Sequence, residues 1–183
     1  MKFDKSLIKL LKENNRKAQE DFYKFFAPKM FGVCLRFSND KEDAEDILQE
    51  GFIRVFRYIK DYRGEGSFEG WVRRIIVNTA INHYKRRIKR SFSKPIEEEG
   101  KAAGFNANII EQMSADEILK AVSELPVGYR TVFNLNIIEG YTHKEIGVLL
   151  GISENTSKSQ LSRARGSLQK KLENIKRKEN IGE

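Results

Sequence analysis

Apolar residues recur along this chain at three- and four-residue intervals, and strict alternation is scarce. That period predicts helices throughout, and the fold class expected is all-α. The stretch from about Ala18 to Phe37 carries Phe22, Phe25, Phe26, Met30, Phe31, Val33, Leu35 and Phe37 as core candidates, with Cys34 among them. Pro28 is expected either to separate two helices there or to open the second one. Ser38-Asn39-Asp40 offers a break and an N-cap for a helix over about Lys41 to Tyr58. Asp61 to Ser67, with two glycines, is expected to be a loop. A helix from about Phe68 to Arg90 follows, its apolar side made by Trp71, Val72, Ile75, Ile76 and Ala80.

From Ser91 to about Asn108 the periodicity fails. Ser93-Lys94-Pro95, Glu97-Glu98-Glu99-Gly100 and Ala102-Ala103-Gly104 have no core face, so this is expected to be a flexible linker. Helical period returns near Met113, where Ala115, Ile118, Leu119, Val122 and Leu125 line one face up to Pro126. Arg130 to Ile138 is expected to be another helix, with Val132, Phe133, Leu135 and Ile138 inward and Gly140 closing it. The organisation expected is two small helical domains, residues 1–90 and 113–183, joined by a linker over 91–112.

The most informative punctuation lies between Thr142 and Arg165. Thr142 followed by Glu145 forms a capping-box opening. Ile146, Leu149 and Leu150 then share a face, Gly151 suits the left-handed end of a helix, and Ser153 is placed to cap the next one. Ile152 is the apolar plug under the turn. The second helix shows Asn155, Thr156, Lys158, Ser159, Gln160 and Arg163, side chains able to reach phosphates or base edges. Its apolar content is thin, essentially Leu161 and Ala164, which favours a DNA-reading helix-turn-helix over a helical hairpin buried in a bundle.

Charge sharpens the picture. The net charge of +8 favours a polyanionic partner such as nucleic acid. The Lys41–Tyr58 helix is divided, however: Glu42, Asp43, Glu45, Asp46 and Glu50 precede a basic and aromatic second half with Phe52, Arg54, Phe56, Arg57, Tyr58 and Lys60. The helix dipole accounts for the first acidic residues but not for acidity continuing to Glu50. Such a patch would repel DNA, so it is expected to dock a protein. Aromatic rings interleaved with cations from Phe52 to Arg74 suit single-strand binding, in which rings stack on bases and cations follow the backbone. Phe68 and Trp71 fit that role or a plain core role equally.

Other functions are disfavoured. A single Cys34, with only His83 and His143, gives no internal disulfide and no zinc constellation. The two histidines are expected to be surface or capping residues. No P-loop, dinucleotide fingerprint or nucleophile elbow occurs, so neither a catalytic site, a metal nor a cofactor is expected. Charged residues interrupt the N-terminal MKFDKSLIKLLKENN, which is neither a signal peptide nor a span, so a cytoplasmic protein without membrane insertion is expected.

Two motif sets carry a family resemblance. Leu125 to Arg130, Glu139 to Ile146 and the helix from Thr156 to Arg165 resemble region 4 of bacterial sigma factors. Asp43 to Glu50 and Phe68 to Ile75, through Asn78, resemble region 2. Their order and the short linker are similar to the extracytoplasmic-function group of the sigma-70 family, over roughly residues 18–90 and 113–172. The resemblance implies an RNA polymerase sigma factor that binds core polymerase, directs it to −35 and −10 promoter elements and promotes strand opening. It implies that Asp43, Glu45, Asp46, Leu48, Gln49 and Glu50 dock on the β′ clamp helices, with region 4 on the β flap. It further implies that Tyr62, Arg63, Trp71, Arg74, Asn78, Lys85 and Arg86 engage the −10 element, where a non-template base is flipped out and held. Asn155, Thr156, Lys158, Ser159, Arg163 and Arg165 would serve the −35 duplex, Arg165 through phosphate. Members of this group are commonly held inactive by an anti-sigma factor, a further expected partner.

Two positions depart from the family. Asn155 stands where many members have Gly, and Ser157 where many have Val. The lost apolar contact at Ser157 is expected to cost on the order of 1 kcal/mol and to seat the helix differently. Two rival readings follow from the residues. A self-sufficient regulator would bind duplex DNA alone, as a dimer on a palindrome, and would leave the acidic stretch idle. A nucleic-acid-processing enzyme would need a carboxylate or histidine cluster that the chain lacks.

Overall fold

Pro28 lies inside one helix rather than between two. The computed structural model describes residues 5–90 and 115–179, and α2 runs unbroken over Arg16–Phe37. Pro28 is exposed, so water can take the carbonyl bond that its ring removes, and the helix survives. The Asn15 side chain starts α2 by accepting the Ala18 N–H at 2.9 Å. Before it stands α1, Lys5–Lys12, which buries Leu7 and Leu11.

The chain divides into two compact units, Met1–Arg90 and Ser91–Glu183. In the first, α2 packs against α3 (Lys41–Tyr58) and α4 (Phe68–Arg90). Asp40 caps α3 by accepting the Asp43 N–H at 2.8 Å. A 3₁₀ turn, Ile59–Asp61, ends α3 ahead of the loop over 62–67. Phe22 is fully buried and its ring meets those of Phe26, Phe52, Phe56 and Phe68. Met30, Val33, Cys34 and Phe37 extend this core from α2, Ile47 and Val55 from α3, and Val72, Ile76 and Val77 from α4. Burial pushes the Cys34 thiol up to about 12, so it serves as an inert apolar residue. Phe25 and Leu35, expected inside, are exposed on the outer side of α2.

The second unit comprises α5 (Ala115–Ser123), α6 (Val127–Phe133), a π turn (Asn134–Ile138), α7 (His143–Leu150) and α8 (Glu154–Glu179). Ala121, Val122, Leu125, Tyr129, Val132, Phe133, Leu135, Ile146, Leu161, Ala164 and Leu168 form its core. Leu119 and Ile138, both expected inward, are exposed at 47% and 36%, and Ile118, Leu149 and Leu150 are only half-buried. The π turn explains the exposure of Ile138. Glu139 N–H bonds to Asn134 O at 3.0 Å, five residues back, and this wider turn shifts the face that follows Leu135. The expected linker, 91–112, lies outside the described residues. The basic end of α8 includes Lys171, which pairs with Glu124 at 2.8 Å and ties α8 to the end of α5.

Candidate functional site

The acidic side chains of α3 point in two directions. Asp43 and Glu50 turn toward α4. Arg87 Nη1 donates to Asp43 Oδ2 at 3.0 Å, and Arg86 Nη2 to Glu50 Oε2 at 2.7 Å. Glu50 also receives Arg54 Nη2 at 2.6 Å and bonds His83 Nε2 at 2.7 Å. Burial alone would raise the Glu50 carboxyl, but hydrogen bonds from Arg86, His83 and Arg54 outweigh it and hold the group at about 2. His83 is therefore neither a surface nor a capping residue, since it is half-buried and bonded across the α3–α4 seam. These side chains meet because α3 and α4 run side by side, although Glu50 and His83 are 33 positions apart.

Glu45, Asp46 and Gln49 stay exposed. With Leu48 they line an open groove of about 740 Å³ between α3 and α2, whose other wall is Tyr23, Lys24, Ala27, Pro28 and Phe31. Leu48 is 8% exposed and forms part of the floor. Glu45 has a long contact to Lys41 at 3.6 Å, an exposed pair of little energetic weight.

Beyond α3, the loop over 62–67 is organised by Tyr62. Its side chain is 6% exposed and packs on Phe68 and Trp71 with ring centroids 5.0 and 5.3 Å away. Its hydroxyl donates to Gly66 O at 3.2 Å. Tyr62 thus braces the loop from within and offers no open ring face. Phe68 is core as well, while Trp71, stacked on Phe68 at 5.9 Å, is only half-buried. Trp71, Arg74, Asn78 and Lys85 follow helical spacing along one stripe of α4. Arg63, Arg74 and Lys85 are exposed and Asn78 is half-buried, whereas Arg86 is engaged by Glu50.

In the second unit, capping bonds build the angle between α7 and α8. The Thr142 hydroxyl accepts the Glu145 N–H at 3.3 Å, while Glu145 Oε2 accepts the Thr142 N–H at 2.8 Å. Gly151 adopts φ +73° and returns its N–H to Gly147 O. Ser153 caps α8 by accepting the Thr156 N–H at 2.9 Å. At Gly147 a Cβ would stand 2.9 Å from Ile152 O, so only glycine lets the turn come this close. Asn155, Lys158 and Ser159 are exposed on α8, and Thr156, Arg163 and Arg165 are half-buried. Lys158 pairs with Glu154 at 2.7 Å, leaving its ammonium at the open face.

Ser157 is fully buried, and its hydroxyl shares a 2.9 Å hydrogen bond with His143 Nδ1. The residue expected only to forfeit an apolar contact therefore gains a polar one from α7. His143 is likewise more than a surface residue. Neither this bond nor the His83–Glu50 bond carries a local sequence signal.

Two helical units, one presenting an acidic edge and the other a helix-turn-helix, define a DNA-reading protein built to join a larger assembly. The family described as Sigma-70 region 2 matches residues 22–90, and that described as Sigma-70, region 4 matches residues 115–168. The chain therefore belongs to the sigma-70 family of RNA polymerase sigma factors, in its extracytoplasmic-function group. The RNA polymerase sigma-H factor of Pseudomonas aeruginosa is 25% identical, over 95% of this chain and 96% of that protein. The ECF RNA polymerase sigma factor SigE of Mycolicibacterium smegmatis is 33% identical, over 78% of this chain and 56% of that one. A solved structure of the sigma factor RpoE with the anti-sigma factor NepR, from Bartonella quintana, aligns with TM-score 0.48 and 20% identity, over 84% of this chain and 98% of that one. The protein is an RNA polymerase sigma factor acting in promoter recognition and transcription initiation. No helix among the described residues is long and apolar enough to cross a membrane.

Proposed function

We propose that each task of the sigma factor falls to a distinct face of the two units. The observation that carries this division is the splitting of α3. Asp43 and Glu50 are consumed in ion pairs to α4, while Asp46 and Gln49 stay exposed beside an open groove. Glu45, Asp46, Leu48 and Gln49 contact core polymerase at the β′ clamp helices, and Asp43 and Glu50 hold α3 in the pose that presents them. Arg63, Trp71, Arg74, Asn78 and Lys85 engage the −10 segment and its melted strand, with Tyr62 and Arg86 as braces behind them. On α8, Asn155, Lys158, Ser159 and Arg163 read the −35 duplex in the major groove, and Thr156 and Arg165 hold phosphates. The second unit docks on the β flap.

The protein acts by binding, with no catalytic step of its own. Base capture and strand contacts offset the few kcal/mol needed to unstack a flipped base. Two modest contacts on one chain gain effective concentration and so specify one promoter. The site of action is the cytoplasm, where polymerase and promoter are met, and an anti-sigma factor is the class of partner that would mask these faces. The domain map is 1–90 for core docking and the −10 element, 91–112 as linker, and 113–183 for the −35 element.

Run-off transcription with purified core polymerase tests this assignment. Wild type is expected to direct a discrete start, Asp46→Arg to fail at joining core, and Lys158→Ala to join core yet initiate weakly. A wild-type protein that ignores core but shifts duplex DNA alone, as a dimer, would replace this account with the self-sufficient regulator.

A further inference from the structure

We infer that α1 is a positioning element for promoter opening, acting through Lys12 on the loop over 62–67. Lys5–Lys12 precedes the stretch matched by the region 2 family, which begins at residue 22. Its burial of Leu7 and Leu11 explains why the helix is attached, but not where it ends. It ends at Lys12, whose half-buried side chain donates from Nζ to the Tyr62 carbonyl at 2.7 Å. A charge-assisted hydrogen bond of this length, made where the site is partly buried, fixes a backbone position in a direction that apolar packing leaves open.

The position fixed is the first residue of the loop. Tyr62 leaves the 3₁₀ turn with its N–H on Ile59 O at 3.2 Å, and its hydroxyl reaches Gly66 O across the loop. One residue therefore holds both ends of the 62–66 segment, and Lys12 holds that residue from a helix 50 positions away. Arg63, next along the backbone, is exposed, so the direction it takes depends on this anchor. Contacts to a flipped base tolerate little misplacement. Lys12 touches no DNA in this scheme and is a positioning residue.

The inference rests on the reading that this loop engages the −10 strand, and the test separates the two. Holoenzymes carrying wild type, Lys12→Met, Lys12→Arg or Arg63→Ala transcribe a promoter library randomised at both the −35 and −10 segments, and the transcribed members are sequenced. Lys12→Met is expected to lower base discrimination at −10 by about tenfold, the loss of one hydrogen bond to a charged group. Its −35 preference should stay as in wild type, and Lys12→Arg should restore most of the loss. If Lys12→Met lowers total yield with both preferences intact, Lys12 is merely structural and the inference is overturned. The same holds if Arg63→Ala flattens the −10 preference and Lys12→Met does not. If neither changes it, the loop reading falls and takes this inference with it.

Discussion

The two units reach ordered surfaces by different means. In the first, rings from three helices fill the core around Phe22, and ion pairs between α3 and α4 join residues far apart in sequence. In the second, the functional helix is thinly apolar, and its angle is set by the Thr142 and Ser153 caps and by a part-buried Ser157–His143 bond. Where apolar area is plentiful, charged residues can be diverted to bracing without emptying the exposed surface. Where it is scarce, short-range hydrogen bonds must supply the precision.

The contrast breaks first at the aromatic core. Phe22→Ala should cost about 3–5 kcal/mol and collapse the thermal transition of the first unit. Calorimetry of the full chain should show the second unit's transition unmoved. Next comes the close turn of the second unit. Gly147→Ala places a Cβ 2.9 Å from the Ile152 carbonyl oxygen, and should cost about 1–3 kcal/mol as an overpacking strain. The −35 contribution to transcription should fall with it, while core binding persists.

Acid should separate the units further. The Glu50 carboxyl is held at about 2 in the folded protein against an ordinary 4.5. A depressed folded value means that its stabilisation is full above about 4.5 and is lost as pH falls toward 2. Glu50→Gln should therefore lower first-unit stability at neutral pH and flatten its acid dependence through that window, with the second unit unaffected. The smallest effect is expected at the Ser157–His143 pair. A double-mutant cycle of Ser157→Ala and His143→Ala, read by chemical denaturation, should give a coupling of about 1 kcal/mol.

Legibility in the sequence tracked the range of the interaction. The turn between α7 and α8 is written in consecutive residues, and Thr142, Glu145, Gly151 and Ser153 take the capping roles read from their order. The bounds of α3 and α4 followed from apolar period and an N-cap. Less was legible where a residue's role is set by a distant partner. Pro28 reads as a break in isolation, yet on the exposed side of a long, well-buried helix it is tolerated. Tyr62 sits among cations and aromatics in a manner suited to stacking on bases, but folding turns it inward onto Phe68 and Trp71. Glu50 looks like one more acid of a docking face until α4 brings His83 and Arg86 against it. The charge-interrupted run from Lys5 to Lys12 gave no hint of its contact with Tyr62.

The division of α3 is tested most directly by titrating core RNA polymerase with fluorescently labelled Asp46→Arg and Glu50→Gln proteins at neutral pH, with a thermal melt of each. Asp46→Arg should bind core at least about tenfold more weakly, as a charge reversal at a docking face does, with its melting unchanged. Glu50→Gln should melt earlier and bind core within about twofold of wild type, since its carboxylate braces α3 from behind. The opposite pattern, with Glu50→Gln losing core at unchanged stability and Asp46→Arg binding normally, would contradict the account.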